Sequence, residues 1–336
     1  MPRKWYVGVE NKARKVITPY IGVNGKARRV IRAYVGVNGI ARYYYKRIDV
    51  PTLNITYTGE WEDKLDVVMG GKTYRLLTLK TSGTLTISET VACDIWMVGG
   101  GNGGYLGSYG FGGGGGYSLF EKDITVKENS AVPVVIGSAG IGGYIYTDED
   151  GDETYIEPTI GGYSSFGQYK TKVGVAGHAQ DGGSGGGGHG SRSNILGGTG
   201  DGLSKYPFED DSYFEHPHGA GGGGGGYGDT TGNTNYITKG GTGGSNGSYG
   251  GKTEKSNDAI GGIGGNYGGG RGGKAWISGD IDGTGAIYYG AGGGGGGEYW
   301  FKVVGPGGSG GGTHHSIGNG GNGYQGVVYI RIPYKQ

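Results

Sequence analysis

The sequence predicts an all-β protein with N-terminal β-hairpin repeats, a β-sandwich segment and a glycine-rich domain of packed polyglycine II-type helices. Three observations predict it. A 14-residue unit carrying hairpin turns recurs three times at the start. Residues 51–98 alternate apolar and polar side chains at the period of a strand, and residues 325–332 read as a last strand. Glycine makes up 88 of the 336 residues, in blocks such as Gly221 to Gly226. Ten leucines are too few for a helical bundle or a helix-wrapped α/β core. Nine prolines, and glycines that do not recur strictly every third residue, exclude collagen.

The repeat occupies residues 1–47. Tyr6-Val-Gly-Val-Glu-Asn-Lys-Ala-Arg14 returns as Tyr20-Ile-Gly-Val-Asn-Gly-Lys-Ala-Arg28 and as Tyr34-Val-Gly-Val-Asn-Gly-Ile-Ala-Arg42. Asn24-Gly25 and Asn38-Gly39 are two-residue hairpin turns, because a type I′ turn needs positive φ at both central positions. Each unit therefore reads as one hairpin, with one face open to apolar and the other to basic residues. Residues 1–50 hold 12 Lys+Arg against 2 Asp+Glu, so the head is strongly basic and the remainder net acidic. Three such hairpins bury little by themselves, so they pair into a small sheet or onto a partner. The expected role is docking to an acidic partner, with Arg14, Arg28, Arg29 and Arg42 as the contact residues. Nucleic acid is not the expected partner, since no groove-reading helix or RNA-binding module is present.

Residues 48–98 read as sandwich strands at Leu53–Tyr57, Lys72–Leu79, Thr84–Ile87 and Ala92–Val98. A last strand at Gln325–Ile332 closes the chain. This strand and the one ending at Val98 are expected to bracket the glycine region and to lie in one sandwich. The glycine-rich domain spans 99–336. Ordering glycine costs more backbone entropy than ordering any other residue. Such a segment stays a linker, or it packs extended three-residue-per-turn chains side by side through main-chain hydrogen bonds. Spacing favours packing: Asn319 and Asn322 fall three apart, as do Arg271 and Lys274, which places each pair on one ridge.

Residues about 51–336 resemble the glycine-rich domain of bacteriophage tail and tail-fibre proteins. The resemblance lies in Ser82-Gly-Thr-Leu-Thr-Ile followed by Asp94-Ile-Trp-Met-Val-Gly-Gly-Gly, in Gly161-Gly-Tyr-Ser-Ser-Phe-Gly167, and in Gly320-Gly-Asn-Gly-Tyr-Gln-Gly-Val-Val-Tyr-Ile-Arg331. The 14-residue units resemble repeats at the N-termini of tail proteins from phages of Gram-positive bacteria. The resemblance implies a virion tail protein made in the bacterial host cytoplasm. It implies a tail-tip or fibre adhesin whose loops contact a carbohydrate or protein receptor on the bacterial surface. Other tail or baseplate proteins are the implied partners. The alternative is a purely structural tail, baseplate or neck component without host contact.

Several motifs bear on chemistry. Gly99-Gly-Gly-Asn-Gly-Gly104 fits the dinucleotide fingerprint, but Tyr105 to Gly116 does not form the helix that such a site requires. Asp148-Glu-Asp-Gly-Asp-Glu153 lacks the calcium-loop spacing and reads as an acidic hairpin tip. His216 and His218 read as an exposed loop pair. In an intertwined trimer, the favoured oligomer, they would instead supply six imidazoles to a transition metal. No cofactor is otherwise expected. No nucleophile elbow or triad spacing is present, and the chain is expected not to be an enzyme. The lone Cys93 excludes a disulfide scaffold. No stretch of about 18 apolar residues occurs, and the charged start lacks a signal-peptide core, so membrane insertion is not expected. Recognition falls to the aromatics that interrupt glycine: Tyr206, Phe208, Tyr213 and Phe214 in an acidic loop, and as further candidates Tyr299 and Trp300, whose favoured reading is a cap on the bundle.

Overall fold

The computed structural model describes residues 53–106, 110–174 and 317–334 with their side chains. It also describes residues 186–187, 196–198, 222, 242–243, 263, 282–287, 289 and 291–293. In the strands between residues 6 and 46, and at 227–229, 236–239, 254–255, 298–302 and 313–316, it describes the backbone. Every regular element among these residues is a strand. The chain forms two units, Met1–Leu53 with Tyr334–Gln336, and Asn54–Pro333.

In the first unit the repeats form three separate two-stranded sheets. These are β1 (Tyr6–Val9) with β2 (Lys12–Lys15), β3 (Tyr20–Val23) with β4 (Lys26–Arg29), and β5 (Arg32–Val37) with β6 (Ile40–Lys46). Val9 pairs with Lys12, Val23 with Lys26 and Val37 with Ile40, which leaves the two-residue connections that the Asn-Gly pairs predict. Arg14 lies opposite Val7, Arg28 opposite Ile21 and Arg42 opposite Val35 in the backbone register.

The second unit contains, in chain order, β7 (Ile55–Tyr57), β8 (Trp61–Met69), β9 (Lys72–Leu79), β10 (Gly83–Ile87), β11 (Val91–Val98), β12 (Ser118–Val126), β13 (Val132–Val135), β14 (Tyr144–Thr147), β15 (Glu153–Ile156), β16 (Ser165–Phe166) and β17 (Tyr169–Lys170). Then follow β18 (Tyr227–Asp229), β19 (Tyr236–Lys239), β20 (Glu254–Lys255), β21 (Glu298–Lys302), β22 (Thr313–Ile317) and β23 (Val327–Pro333). They build three five-stranded sheets in the orders β12-β11-β23-β9-β8, β17-β16-β13-β10-β7 and β20-β19-β18-β21-β22, and β14 pairs with β15 in a two-stranded one. The closing strand β23 lies between β11 and β9, so the glycine region is an insertion between two paired strands.

Both faces of the first sheet are buried along its central strands β11, β23 and β9. Val67, Met69, Tyr74, Leu76, Trp96, Val98, Val327 and Tyr329 cluster on one. Leu77, Leu79, Ile95, Met97, Val328 and Ile330 are the alternate residues of the same strands and are equally buried. Double burial explains why β11 ends in a continuous apolar run and β23 begins with one, instead of alternating. Trp96 stacks on Tyr329 with ring centroids 5.3 Å apart, and its indole N–H donates to Ser118 Oγ at 2.9 Å. Ser118→Ala leaves that donor buried and unpaired. It should lower stability by about 1–2 kcal/mol in urea unfolding.

Beyond Val98 the pairing continues, but its period changes. Val98 is the partner of Val327 in the sheet; further along, Gly101 donates to the Tyr324 carbonyl and Gly104 to that of Gly321. The offset between the two chains is unchanged. On the other side Val98 pairs with Ser118, and Gly99, Asn102 and Tyr105 donate to Tyr117, Gly114 and Phe111, again at the same offset. The remaining N–H groups, of Gly100 and Gly103, go to Gly162 and Thr159. All seven bonds measure 2.8–3.1 Å. A strand in a sheet alternates between two directions, whereas residues 99–105 serve three neighbours in rotation.

The absence of side chains is what permits this. Stacked sheets stand about 10 Å apart because side chains fill the gap. Where glycine begins, the continuation of β11 meets the chain leading into β16 at hydrogen-bonding distance. A methyl group on Gly100 would overlap the Ser138 carbonyl, and one on Gly103 that of Ile141. Among the described residues the left-handed glycines are Gly70, Gly71, Gly151 and Gly167. Gly100 and Gly103 are therefore glycine because of close approach and not because of φ. Ser164, the last side chain before this zone, donates to the Val98 carbonyl at 2.7 Å and accepts from Gly137 N at 2.9 Å. Asn322 and Asn319 accept from Gly142 N and Ile145 N, alternating along that segment with the backbone bonds Gly323–Gly140 and Gly320–Gly143. Both reach one neighbouring segment, as their three-residue spacing predicts.

Burial pushes the Cys93 thiol up to about 12, with the Asp94 carboxylate adding to the shift, and pushes the Tyr57 phenol up to about 12. Both groups are held neutral in the folded chain. The stability they contribute is complete below their ordinary values and is lost as pH rises from about 9 toward 12. The thermal midpoint should fall across that window, and Cys93→Ala should flatten the fall.

Candidate functional site

The best-defined exposed feature grows from the second sheet. Val134 pairs with Phe166 and Val135 with Ser165. The two chains then run on through glycine, where Gly162 donates to Ser138 at 2.8 Å and Thr159 to Ile141 at 2.9 Å. They re-form a ladder from Tyr144–Ile156 to Thr147–Glu153. The offset is the same throughout, so sheet, glycine stretch and hairpin are one antiparallel finger. From Val134 to Thr147 it extends about 40 Å at ~3.1–3.3 Å per residue. The return from extended glycine to a hairpin follows the sequence: Tyr144-Ile-Tyr-Thr and Glu153-Thr-Tyr-Ile are β-formers around an Asp-Gly turn.

The tip is tied by its first acid. The Asp148 carboxylate accepts from the N–H groups of Asp150 and Asp152 at 3.1 and 2.8 Å. Gly151 sits at φ 87°, a left-handed value that suits glycine. Tyr144, Tyr146 and Tyr155 are 41 %, 54 % and 50 % exposed, unusual for three tyrosines in so short a ladder. Tyr144 and Tyr146 share one face with Thr154 and Ile156, and Tyr155 shares the other with Ile145 and Glu153. Residues 144–157 contain six carboxylates and no Lys or Arg. None of the six forms an ion pair among the described residues. Ile141 and Ile160 at the base of the hairpin are exposed as well.

This arrangement is suited to binding. Its rings offer flat apolar area and its carboxylates accept hydrogen bonds. A second concavity, of about 520 Å³, lies between Lys80–Ser82, Ile136–Ala139 and Gly323–Gln325. Several polar groups there are internally engaged: Gln325 Nε2 donates to the Lys80 carbonyl, Ser82 Oγ accepts from Ile136 N, and Lys80 Nζ pairs with Glu62.

The residues singled out by sequence fall elsewhere. Tyr206, Phe208, Tyr213, Phe214, His216 and His218 lie outside the described residues. Tyr299 and Trp300 lie on β21, where their backbones pair with Ser316 and His315. Arg14, Arg28, Arg29 and Arg42 lie on the hairpin strands β2, β4 and β6. Gly99–Gly104 takes its place in the three-neighbour glycine zone. Among the described residues no cluster of three or more His, Cys, Asp or Glu side chains is disposed to hold a metal ion, and no helix is long and apolar enough to cross a membrane. The exposed tyrosines of this hairpin were not among the residues that the sequence singles out. Their signal was an alternating Tyr-Ile-Tyr run and a Tyr-Ile pair flanking an Asp-Gly turn, with glycine on both sides. Compared with family models and with curated proteins, the sequence matches none.

Proposed function

We propose that this chain is a non-enzymatic component of a bacteriophage tail, a tail-tip or fibre adhesin that meets the bacterial surface through projections from a glycine bundle. One observation carries the reading. An exposed tyrosine hairpin stands at the end of an antiparallel ladder whose register is unbroken from the core sheet. Such a ladder holds its tip in a defined place, and that is what a recognition element on a particle needs. The bundle itself is read as packed polyglycine II-type chains. The rotation of hydrogen bonds through three neighbours supports this, since polyglycine II has three residues per turn. The basic hairpins, with Arg14, Arg28, Arg29 and Arg42, are read as the part that docks to other tail or baseplate proteins.

The test uses virions of the phage that encodes the chain. An antibody raised against residues 144–156 should decorate the tail extremity and block adsorption to the host. Particles carrying Tyr144→Ser, Tyr146→Ser and Tyr155→Ser together should assemble normally and adsorb at least about tenfold less. That is the scale of losing a few aromatic contacts worth ~0.5–1.5 kcal/mol each. Normal adsorption by decorated or substituted particles would assign the chain to a structural role in tail, baseplate or neck. Absence of the chain from virions would end the tail assignment.

A further inference from the structure

The finger carries three exposed tyrosines and six carboxylates with no cation on the same hairpin, and that composition selects among ligands. Resting on the reading that this hairpin contacts the bacterial envelope, we propose that its ligand is a glycan bearing free amino groups. Asp148 is engaged by its own turn, which leaves Glu149, Asp150, Asp152, Glu153 and Glu157 exposed beside the rings. Five uncompensated carboxylates oppose a phosphate-rich or uronate polymer through like-charge repulsion. A neutral sugar makes no use of their charge. An ammonium group does so twice, by ion pairing with a carboxylate and by lying over a tyrosine face. Tyr144 and Tyr146 stand two residues apart on one face, so they form a short two-ring platform suited to the C–H faces of consecutive sugars. The carboxylates of the tip lie at its end. The neighbouring glycine stretch adds no competing charge, because no Lys or Arg occurs between Lys127 and Lys170.

The experiment titrates the full chain with hexaglucosamine at mildly acidic pH, where its amines are charged, beside hexa-N-acetylglucosamine and hexalysine. Hexaglucosamine should bind, and the N-acetylated chain and the peptide should each bind at least about tenfold more weakly. Added salt should weaken the interaction. Tyr144→Ser with Tyr146→Ser, and separately Glu149→Gln with Asp150→Asn, Asp152→Asn and Glu153→Gln, should each reduce affinity by about tenfold at unchanged unfolding midpoint. Equal binding of the N-acetylated oligomer would make the site a neutral-sugar platform. Equal binding of hexalysine would make it a surface for basic polypeptides. No binding of hexaglucosamine removes the ligand class. Each of these three results overturns the proposal. Adsorption that still depends on the tyrosines would then leave the host-contact reading standing with another ligand, whereas tyrosine-independent adsorption would remove both.

Discussion

Gly103→Ala is expected to destabilise the Asn54–Pro333 unit by about 4 kcal/mol, enough to leave much of a marginally stable chain unfolded. The added methyl overlaps the carbonyl of Ile141, which is main chain and cannot swing aside as a side chain does. Relief requires the two segments to separate. Separation strains the Gly103–Thr159 bond and the Thr159–Ile141 bond that joins the arms of the finger. Overpacking of this kind costs about 1–3 kcal/mol, and each buried group left without its partner about 1–3 more. Two controls separate approach from conformation. A methyl on Gly71 meets nothing within 4 Å, but φ there is +76°, so Gly71→Ala should cost only about 1–2 kcal/mol of local strain. At Gly285 the nearest atom is the Asn322 carbonyl oxygen at 3.6 Å and φ is ordinary, so alanine should be neutral or slightly stabilising. Urea unfolding of the three variants, followed by tryptophan fluorescence, gives the order. If Gly103→Ala were as harmless as Gly285→Ala, the interlocked glycine zone would not exist in solution.

That series also marks where the sequence is informative. The strands at 72–79, 91–98 and 327–333 were legible because their apolar content and flanking turns are local properties of the chain. The pairing of Asn319 and Asn322 with one neighbour was legible for the same reason, since a three-residue period needs no knowledge of the partner. The identity of the neighbours was not. Gly100 is chemically the same as Gly101, yet one bonds to Gly162 and the other to Tyr324, and only the register inherited from β11 decides which. The strands at 61–69 and 118–126 were missed because bulges break their alternation. The pairing shifts between Lys64 and Val67 and between Cys93 and Ile95, where Asp66 and Asp123 adopt positive φ. The acidic tip at 148–153 was legible as a hairpin, because its turn is local. The exposure of the tyrosines beside it was not, because it depends on the long glycine stretch that carries them away from the core sheets.

The bulge at Asp123 leads to the second large effect. Arg331→Met should destabilise the fold by about 3–5 kcal/mol, whereas Arg331→Met combined with Asp94→Asn should cost only about 1–2 kcal/mol. Arg331 is 4 % exposed on the central strand β23 and is the register partner of Asp94 on β11. Its Nε donates to Asp94 Oδ2 at 2.7 Å, and its guanidinium lies over the Tyr74 ring at 4.8 Å. The other carboxylate oxygen accepts from Asp123 N at 3.0 Å, the N–H that the bulge turns away from the ladder. Removing Arg331 alone leaves a nearly buried carboxylate with one neutral donor, and the desolvation penalty of that charge dominates the loss. Asparagine at 94 removes the charge but can still accept from Asp123, so the double variant loses mainly the cation–ring contact and some packing. The stability recovered by adding Asp94→Asn to Arg331→Met, about 2–3 kcal/mol, thus measures stranded charge and not the net worth of the ion pair. Additive single and double effects would mean that water reaches Asp94, and that β23 is less enclosed between β11 and β9 than its burial indicates.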